Sequence, residues 1–410
     1  MSKFFQRITK ICLIALVFLM PLFFLPFTFE GFEFNKQYLL FILSAMAFLA
    51  WLAKMIMGQK RLLFKRTPLD LPILALMIVM ILTAIFSKDS ISSWLGFYGR
   101  FSDAAAGFLA MLLMYFVVVN NVVGQGFSPA LGKAKALPYG IQISGILNWF
   151  LGSSFLVIIA AYFSILGIWS KIPWLGERLP GLMNLKSFSP VSGSLEGLSV
   201  FLAAVVSLLV GIILNSKVKN QNEKLQFKIQ KIILLVILFA SIILLLLIDF
   251  WAAWLSLGIT MLILLLISFW TRTFRERVNV LLLPIVLLAV SVAGYFGVLI
   301  KAKDQIAFLK ERPLAQEVIL DYRTAALTTL ETVKESPVLG SGPGAFLYGF
   351  SKFKPEEFND NRFWNIRFDK GPSHLMELIG TTGLLGILSY LSVVIMFMVV
   401  MSMFLRQRHF

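Results

Sequence analysis

Cysteine and histidine are nearly absent from this 410-residue chain, which holds a single cysteine, Cys12, and two histidines, His374 and His409. One thiol excludes a disulfide framework or a cysteine-based zinc site within the chain. The two histidines would need a tight Asp/Glu cluster to complete a metal site, and the sequence shows none, so no metal is expected. Charge is scarce too: Asp, Glu, Lys and Arg make up 14% of the residues, against roughly a quarter in soluble proteins. Acidic residues are the rarer sign, 21 against 37 basic, leaving a net charge of +16. No nucleic-acid-binding signature accompanies that excess, so nucleic acid is not an expected partner. The basic residues read instead as determinants of membrane topology. Internal repeats and low-complexity tracts are also missing.

What is present is apolar. Hydrophobic residues are 59% of the chain, and the mean hydropathy is +0.86. Lipid admits only helices or closed barrels, since an unpaired backbone group in hydrocarbon costs several kcal/mol. The apolar runs are about twenty residues long without alternation, which selects helices. The sequence thus predicts an all-α polytopic transmembrane bundle of about ten spans: 11–29, 38–57, 69–86, 104–123, 146–169, 195–214, 232–248, 250–270, 278–300 and 383–405. Lys3, Arg7 and Lys10 precede the first span, but no small-x-small cleavage site follows it, so a retained first helix is expected.

Loop charges orient the spans. With the N-terminus inside, the cytoplasmic loops carry Lys60, Arg61, Lys65 and Arg66, then Lys133 and Lys135, then the basic stretch 217–231, then Arg272, Arg275 and Arg277. The opposite loops are mixed or acidic, with Glu30, Glu33 and Lys36, then Lys88, Asp89 and Asp103, then Asp249. This follows the positive-inside rule and puts both termini in the cytoplasm, with the polar segment 301–380 on the outer face. The 217–231 loop is suited to lipid headgroups, and 170–194, rich in Gly, Pro and Ser, reads as an outer loop or interfacial helix. The organisation expected is N-terminal helices over 1–230, a region 231–405 containing the outer loop, and a cytoplasmic tail 406–410.

The outer loop concentrates the soluble chemistry. After Pro313, residues 314–335 have helical periodicity, with Val318, Ala325 and Leu330 able to share an apolar stripe, and Pro337 ends the helix. Asp321 and Arg323 then fall within that helix, and the arginine fork suits phosphate oxygens. In Gly340-Ser-Gly-Pro-Gly344 the glycines expose backbone amides, as a tight structural turn or as an anion nest. His374 follows Ser373, a candidate helix N-cap. The positive end of a helix dipole disfavours a further positive charge there, and a neutral imidazole is what a general base needs. Glu377 shares its face and is placed to orient the ring. The alternative is that His374 only packs or hydrogen-bonds at the interface; His409, in the basic tail, reads as incidental. Other outer cations are Arg100, Arg178, Lys186, Arg362, Arg367 and Lys370, with Arg100 set among glycines and aromatics just before a span. Phe363, Trp364 and Phe368 suggest a loop lying on headgroups or a platform for a sugar ring.

Arg323, the run Pro337-Val-Leu-Gly-Ser-Gly-Pro-Gly-Ala-Phe346, His374 and Thr382-Gly-Leu-Leu-Gly386 occur in an order that resembles the O-antigen ligase and polymerase family, polytopic glycosyltransferases of the bacterial envelope. Gly99-Arg-Phe101 with Gly107, and Ser189-Pro-Val-Ser-Gly-Ser-Leu-Glu196, are weaker matches. At the outer turn this chain has Asp249-Phe-Trp-Ala-Ala-Trp254 where members often carry Ser-Arg. His374 is followed by Leu375 rather than Asn, and the chain stops soon after its tenth span. The resemblance implies an enzyme of the bacterial cytoplasmic membrane that moves a glycan from a polyprenyl-diphosphate donor to a hydroxyl on a lipid, glycan or protein acceptor, without a cofactor. It implies His374 as base with Glu377 behind it, and a diphosphate held by Arg323, Arg100, Arg367, Gly342 and Gly344. A transporter or flippase of lipid-linked glycans, or an inactive scaffold of the same fold, are the rival expectations.

Overall fold

The computed structural model describes residues 2–25, 27–28, 30–59, 64–97, 100–123, 141–171, 188–215, 224–270, 278–298, 314 and 317–407. Among the described residues the regular secondary structure is helical apart from a two-residue parallel pairing of β1 (Val122–Val123) with β2 (Ile141–Gln142). The helices are α1 (Ser2–Leu19), α2 (Glu33–Ala53), α3 (Asp70–Ile85), α4 (Ser90–Leu95), α5 (Ala105–Asn121), α6 (Ile143–Ile165), α7 (Leu195–Asn215), α8 (Lys224–Ile248), α9 (Trp251–Trp270), α10 (Val278–Tyr295), α11 (Tyr322–Glu335), α12 (Phe346–Phe353) and α13 (His374–Gln407).

Among the described residues five helical stretches are long and apolar enough to cross a membrane: Glu33–Met57, Ile143–Ile165, Leu195–Leu214, Trp251–Phe269 and His374–Phe404. Asp70–Ile85, Ala105–Asn121, Ile232–Ile248 and Leu281–Tyr295 are apolar but shorter. The first expected span is displaced. Its helix runs Ser2–Leu19 rather than 11–29, because Pro21, which lacks an amide hydrogen and fixes its own φ, lies just beyond.

The chain forms two compact units. One comprises Pro21–Phe27, Phe150–Glu317 and Leu405–Phe410. Its core is aliphatic, built from residues such as Leu198, Leu202, Leu209, Leu238 and Leu257 around the buried Trp254. Gly294 on α10 lies under the Trp254 indole, where an added Cβ would come within 2.6 Å of the ring. The turn between α8 and α9 is Asp249-Phe250, with Asp249 at φ 56° and its carboxylate accepting the Trp254 indole N–H at 2.8 Å. An acidic residue therefore closes this turn by bonding an aromatic from the next helix.

The other unit comprises Met1–Met20, Thr28–Trp149 and Val318–Phe404. Here α2 packs against α1 and α5, and α3 against α5. Leu76, Met80 and Leu378 tie α3 to the start of α13. The described part of the polar segment 301–380 has a small core of its own, in which Phe350, Phe358 and Phe368 meet edge to face at centroid distances of 5.5, 5.7 and 6.1 Å. Phe368 is thus buried rather than laid on a surface, whereas Trp364 is exposed.

Candidate functional site

The glycine run and the Thr382-Gly-Leu-Leu-Gly386 motif turn out to be two halves of one backbone device. Inside α13, Gly383 adopts φ 65° and ψ −164°, which breaks the helix. In an unbroken helix the amides of Leu384 and Leu385 would bond the carbonyls of Gly380 and Thr381. Instead they donate to Pro337 O at 3.0 Å and Val338 O at 3.2 Å, and the released carbonyls of Gly380 and Thr381 accept from Ser341 N at 3.1 Å and Gly342 N at 2.8 Å. The inserted turn thus pairs these four groups that the break would otherwise leave open. Such close approach excludes side chains: a Cβ on Gly340 would sit 2.5 Å from the Thr381 carbonyl, and one on Gly383 2.6 Å from that of Val338.

The anion-nest reading of Gly342 is thereby corrected. Its amide is spent on Thr381, and its α-carbon faces the hydroxyls of Ser87 and Ser93, which a Cβ would meet at 2.0 and 2.4 Å. The turn is also anchored from the opposite side, where Ser87 Oγ and the Lys88 amide both donate to Ser341 O.

Beside this device lies a small pocket lined by Asp103, Phe108, Gly344, His374, Glu377 and Thr381, among others. Gly96, at φ 83°, starts the turn that carries Arg100 inward; a Cβ there would lie 2.7 Å from the Phe101 α-carbon. The Arg100 amide donates back to Phe97 O at 2.9 Å. The guanidinium, 7% exposed, pairs with Glu377 and with Asp103, the latter at 2.5 Å. Glu33 accepts from Ser102 Oγ at 3.1 Å and lies close enough to Asp103 and Arg100 to feel both charges. The Arg100 Nε is buried without a hydrogen-bond partner. His374, the first residue of α13, is exposed at the pocket rim.

Glu377, His374 and Gly344 therefore line one pocket, and Arg100, which does not line it, reaches it through its pairs with Glu377 and Asp103; Glu377 is held by Arg100 rather than set behind the imidazole. Arg323 and Arg367 do not line this pocket. The helix expected over 314–335 begins only at Tyr322, with the Asp321 carboxylate capping it by accepting from Thr324 N at 2.8 Å. Arg323 thus stands in the first turn and points outward, pairing with Glu357 at 3.3 Å with both side chains about three-quarters exposed. The expected apolar stripe is also inverted: of its members only Ala325 is buried, and Thr324, Thr328, Thr329 and Thr332 fill the inner face. Arg367 is exposed.

Asp103 was missed as a site residue because it reads as one more acid in an outer loop. The signal available was its i+3 spacing from Arg100. Away from the pocket, Glu335 at the end of α11 receives Lys352 at 2.8 Å and Lys88 at 3.4 Å. The Lys352 ammonium holds the Glu335 carboxyl below its ordinary range, and is itself pushed up in return.

Arg178, Lys186 and the basic stretches of the expected inner loops, 217–223 and 271–277 among them, lie outside the described residues, as does most of 301–316. Among the described residues no group of His, Cys, Asp and Glu could hold a metal ion. No protein-family model matches the chain, and a search of curated proteins finds no match.

Proposed function

We propose that the chain is a membrane glycosyltransferase that moves a glycan from a polyprenyl-diphosphate donor to an acceptor hydroxyl at the pocket of Arg100, Glu377 and His374. The reading rests on one observation: a buried arginine from the loop before α5 pairs with Asp103 and Glu377, which line one small cavity together with His374. The exposed imidazole is the group free to take a proton. In the step envisaged, His374 accepts the proton of the acceptor hydroxyl, whose oxygen bonds the anomeric carbon from one face. The bond from that carbon to the phosphate oxygen breaks on the other, so the sugar inverts and the lipid diphosphate leaves.

Arg100 then has two duties. It fixes Asp103 and Glu377, and its charge lies next to the cavity where leaving-group charge grows. Because two carboxylates already neutralise it, a diphosphate must replace one of them to reach the guanidinium. The same neutralisation favours a second reading, an inactive scaffold in which the ion pairs only tie α13 to the loop before α5. Transfer from a polyprenyl-diphosphate glycan by the purified protein separates the two. Under the catalytic reading His374→Ala inserts into membranes and transfers no glycan; undiminished transfer by that variant removes the imidazole from the chemistry.

A further inference from the structure

Helix α11 is amphipathic the wrong way round for a helix in water. Its inner face carries the buried Thr324, Thr328, Thr329 and Thr332. Small side chains are needed there: Gly349 of α12 approaches until its Cβ position is 2.6 Å from Thr332 Oγ1, and a Cβ on Gly380 of α13 would lie 3.5 Å from the Thr329 methyl. The outer face carries, at i, i+4, i+7 and i+11, Arg323, Leu327, Leu330 and Lys334, all exposed. Leucines face outward between two cations about 16 Å apart along the axis. The carboxylates near those cations, Glu357 at 3.3 Å and Glu331 at 2.7 Å, are on the surface themselves, and such solvated pairs exchange readily for other anions.

The stripe is continuous with a surface that is apolar for a known reason. Three residues past the end of α11, Val338 O bonds Leu385 N at 3.2 Å. From there α13 runs as a helix apolar enough to cross a membrane, with Leu384 and Leu388 exposed at 52% and 60%. Val338 itself is 53% exposed. Exposed Val338 thus follows the outward leucines of α11 in the chain and is bonded to the stretch that carries the outward leucines of α13.

We infer that the Arg323–Leu327–Leu330–Lys334 face of α11 is a lipid-docking surface, lying in the headgroup boundary of the bilayer that α13 enters. Leu327 and Leu330 reach the acyl chains, and Arg323 and Lys334 meet lipid phosphates. This arrangement is how interfacial helices bind, by apolar area on one face and flanking cations. It assigns Arg323 a role apart from the pocket and stands whether or not the pocket transfers glycans.

Spin labels test it. In a Cys12→Ala background, labels at Leu327→Cys and Leu330→Cys are compared in liposomes with a lipid-facing control, Leu388→Cys, and a water-facing control, Asp360→Cys. The expected result is collision with oxygen exceeding collision with a water-soluble nickel chelate at 327 and 330, as at 388, and the inverse at 360. A ratio at 327 and 330 matching that at 360 overturns the inference. Spin–spin broadening between copies overturns it equally, by giving the stripe to a second chain. Withdrawing phosphatidylglycerol from the liposomes should raise nickel access at 330 in the parent, but not after Arg323→Gln with Lys334→Gln. An equal response in both removes the phosphate contacts.

Discussion

A guanidinium taken out of water is stable only while its counter-charges stay with it, and Arg100 shows the consequence in both directions. With Glu377 and Asp103 in place its charge is more than matched; deleting one partner of a buried pair typically costs about 3–5 kcal/mol, because the other is left uncompensated. Arg100→Gln strands two carboxylates, whereas Glu377→Gln leaves Arg100 with Asp103. The first substitution is therefore expected to lower unfolding stability in detergent by about 3 kcal/mol and the second by clearly less. The double variant Arg100→Gln with Glu377→Gln should recover part of the loss. Equal and additive losses would mean the pair carries no coupling. At this scale the sequence announced Arg100, His374 and Glu377, since a polar residue beside a span needs a reason. It misled on Arg323 because periodicity alone does not locate a helix start. The Asp321-x-x-Thr324 spacing of an N-cap marks that start, and Arg323 falls on the exposed side of the first turn it defines.

At the scale of elements, the glycine motifs were legible as motifs and not as partners. A run of glycines states that backbone must come close to something or turn left-handed; it does not say which segment it will meet. Gly340 and Gly383 turn out to meet each other's neighbours, through a reciprocal exchange of backbone hydrogen bonds across the break in α13. Alanine at either position combines a left-handed φ, worth about 1–2 kcal/mol for a residue with a Cβ, with a contact that backbone cannot yield. Gly383→Ala and Gly340→Ala should each lose about 2 kcal/mol or more and lower the amount of folded protein recovered. Gly152→Ala, in a helix where an added Cβ has nothing within 4 Å, should be neutral or slightly stabilising. A Gly383→Ala protein melting with the parent would show that the break is incidental. The inverted face of α11 was illegible for a related reason. Threonine and leucine both fit a helix, and which side faces inward depends on Gly349 and Gly380, distant in the chain.

For the whole molecule, composition fixed the class and lengths did not fix the count. Helices such as Asp70–Ile85, with 16 residues, extend only about 24 Å, short of a hydrocarbon core of about 30 Å, while α13 is longer than needed and broken near its start. A twenty-residue apolar window cannot distinguish these cases, because flanking loops and kinks decide where a helix ends. Orientation follows a different physics, the bias of Lys and Arg towards the cytoplasm, and it separates the outcomes sharply. The basic stretch 217–231 and the polar segment holding Asp360 are separated by three of the ten expected spans, and on that expectation they lie on opposite faces. In a Cys12→Ala background, Asp360→Cys should react with a membrane-impermeant maleimide on intact cells, whereas Lys219→Cys should react only after permeabilisation. Labelling of both from outside would break the span count between them. Reversal of the two would place the pocket of His374 in the cytoplasm, where a donor carried on the outer leaflet could not reach it.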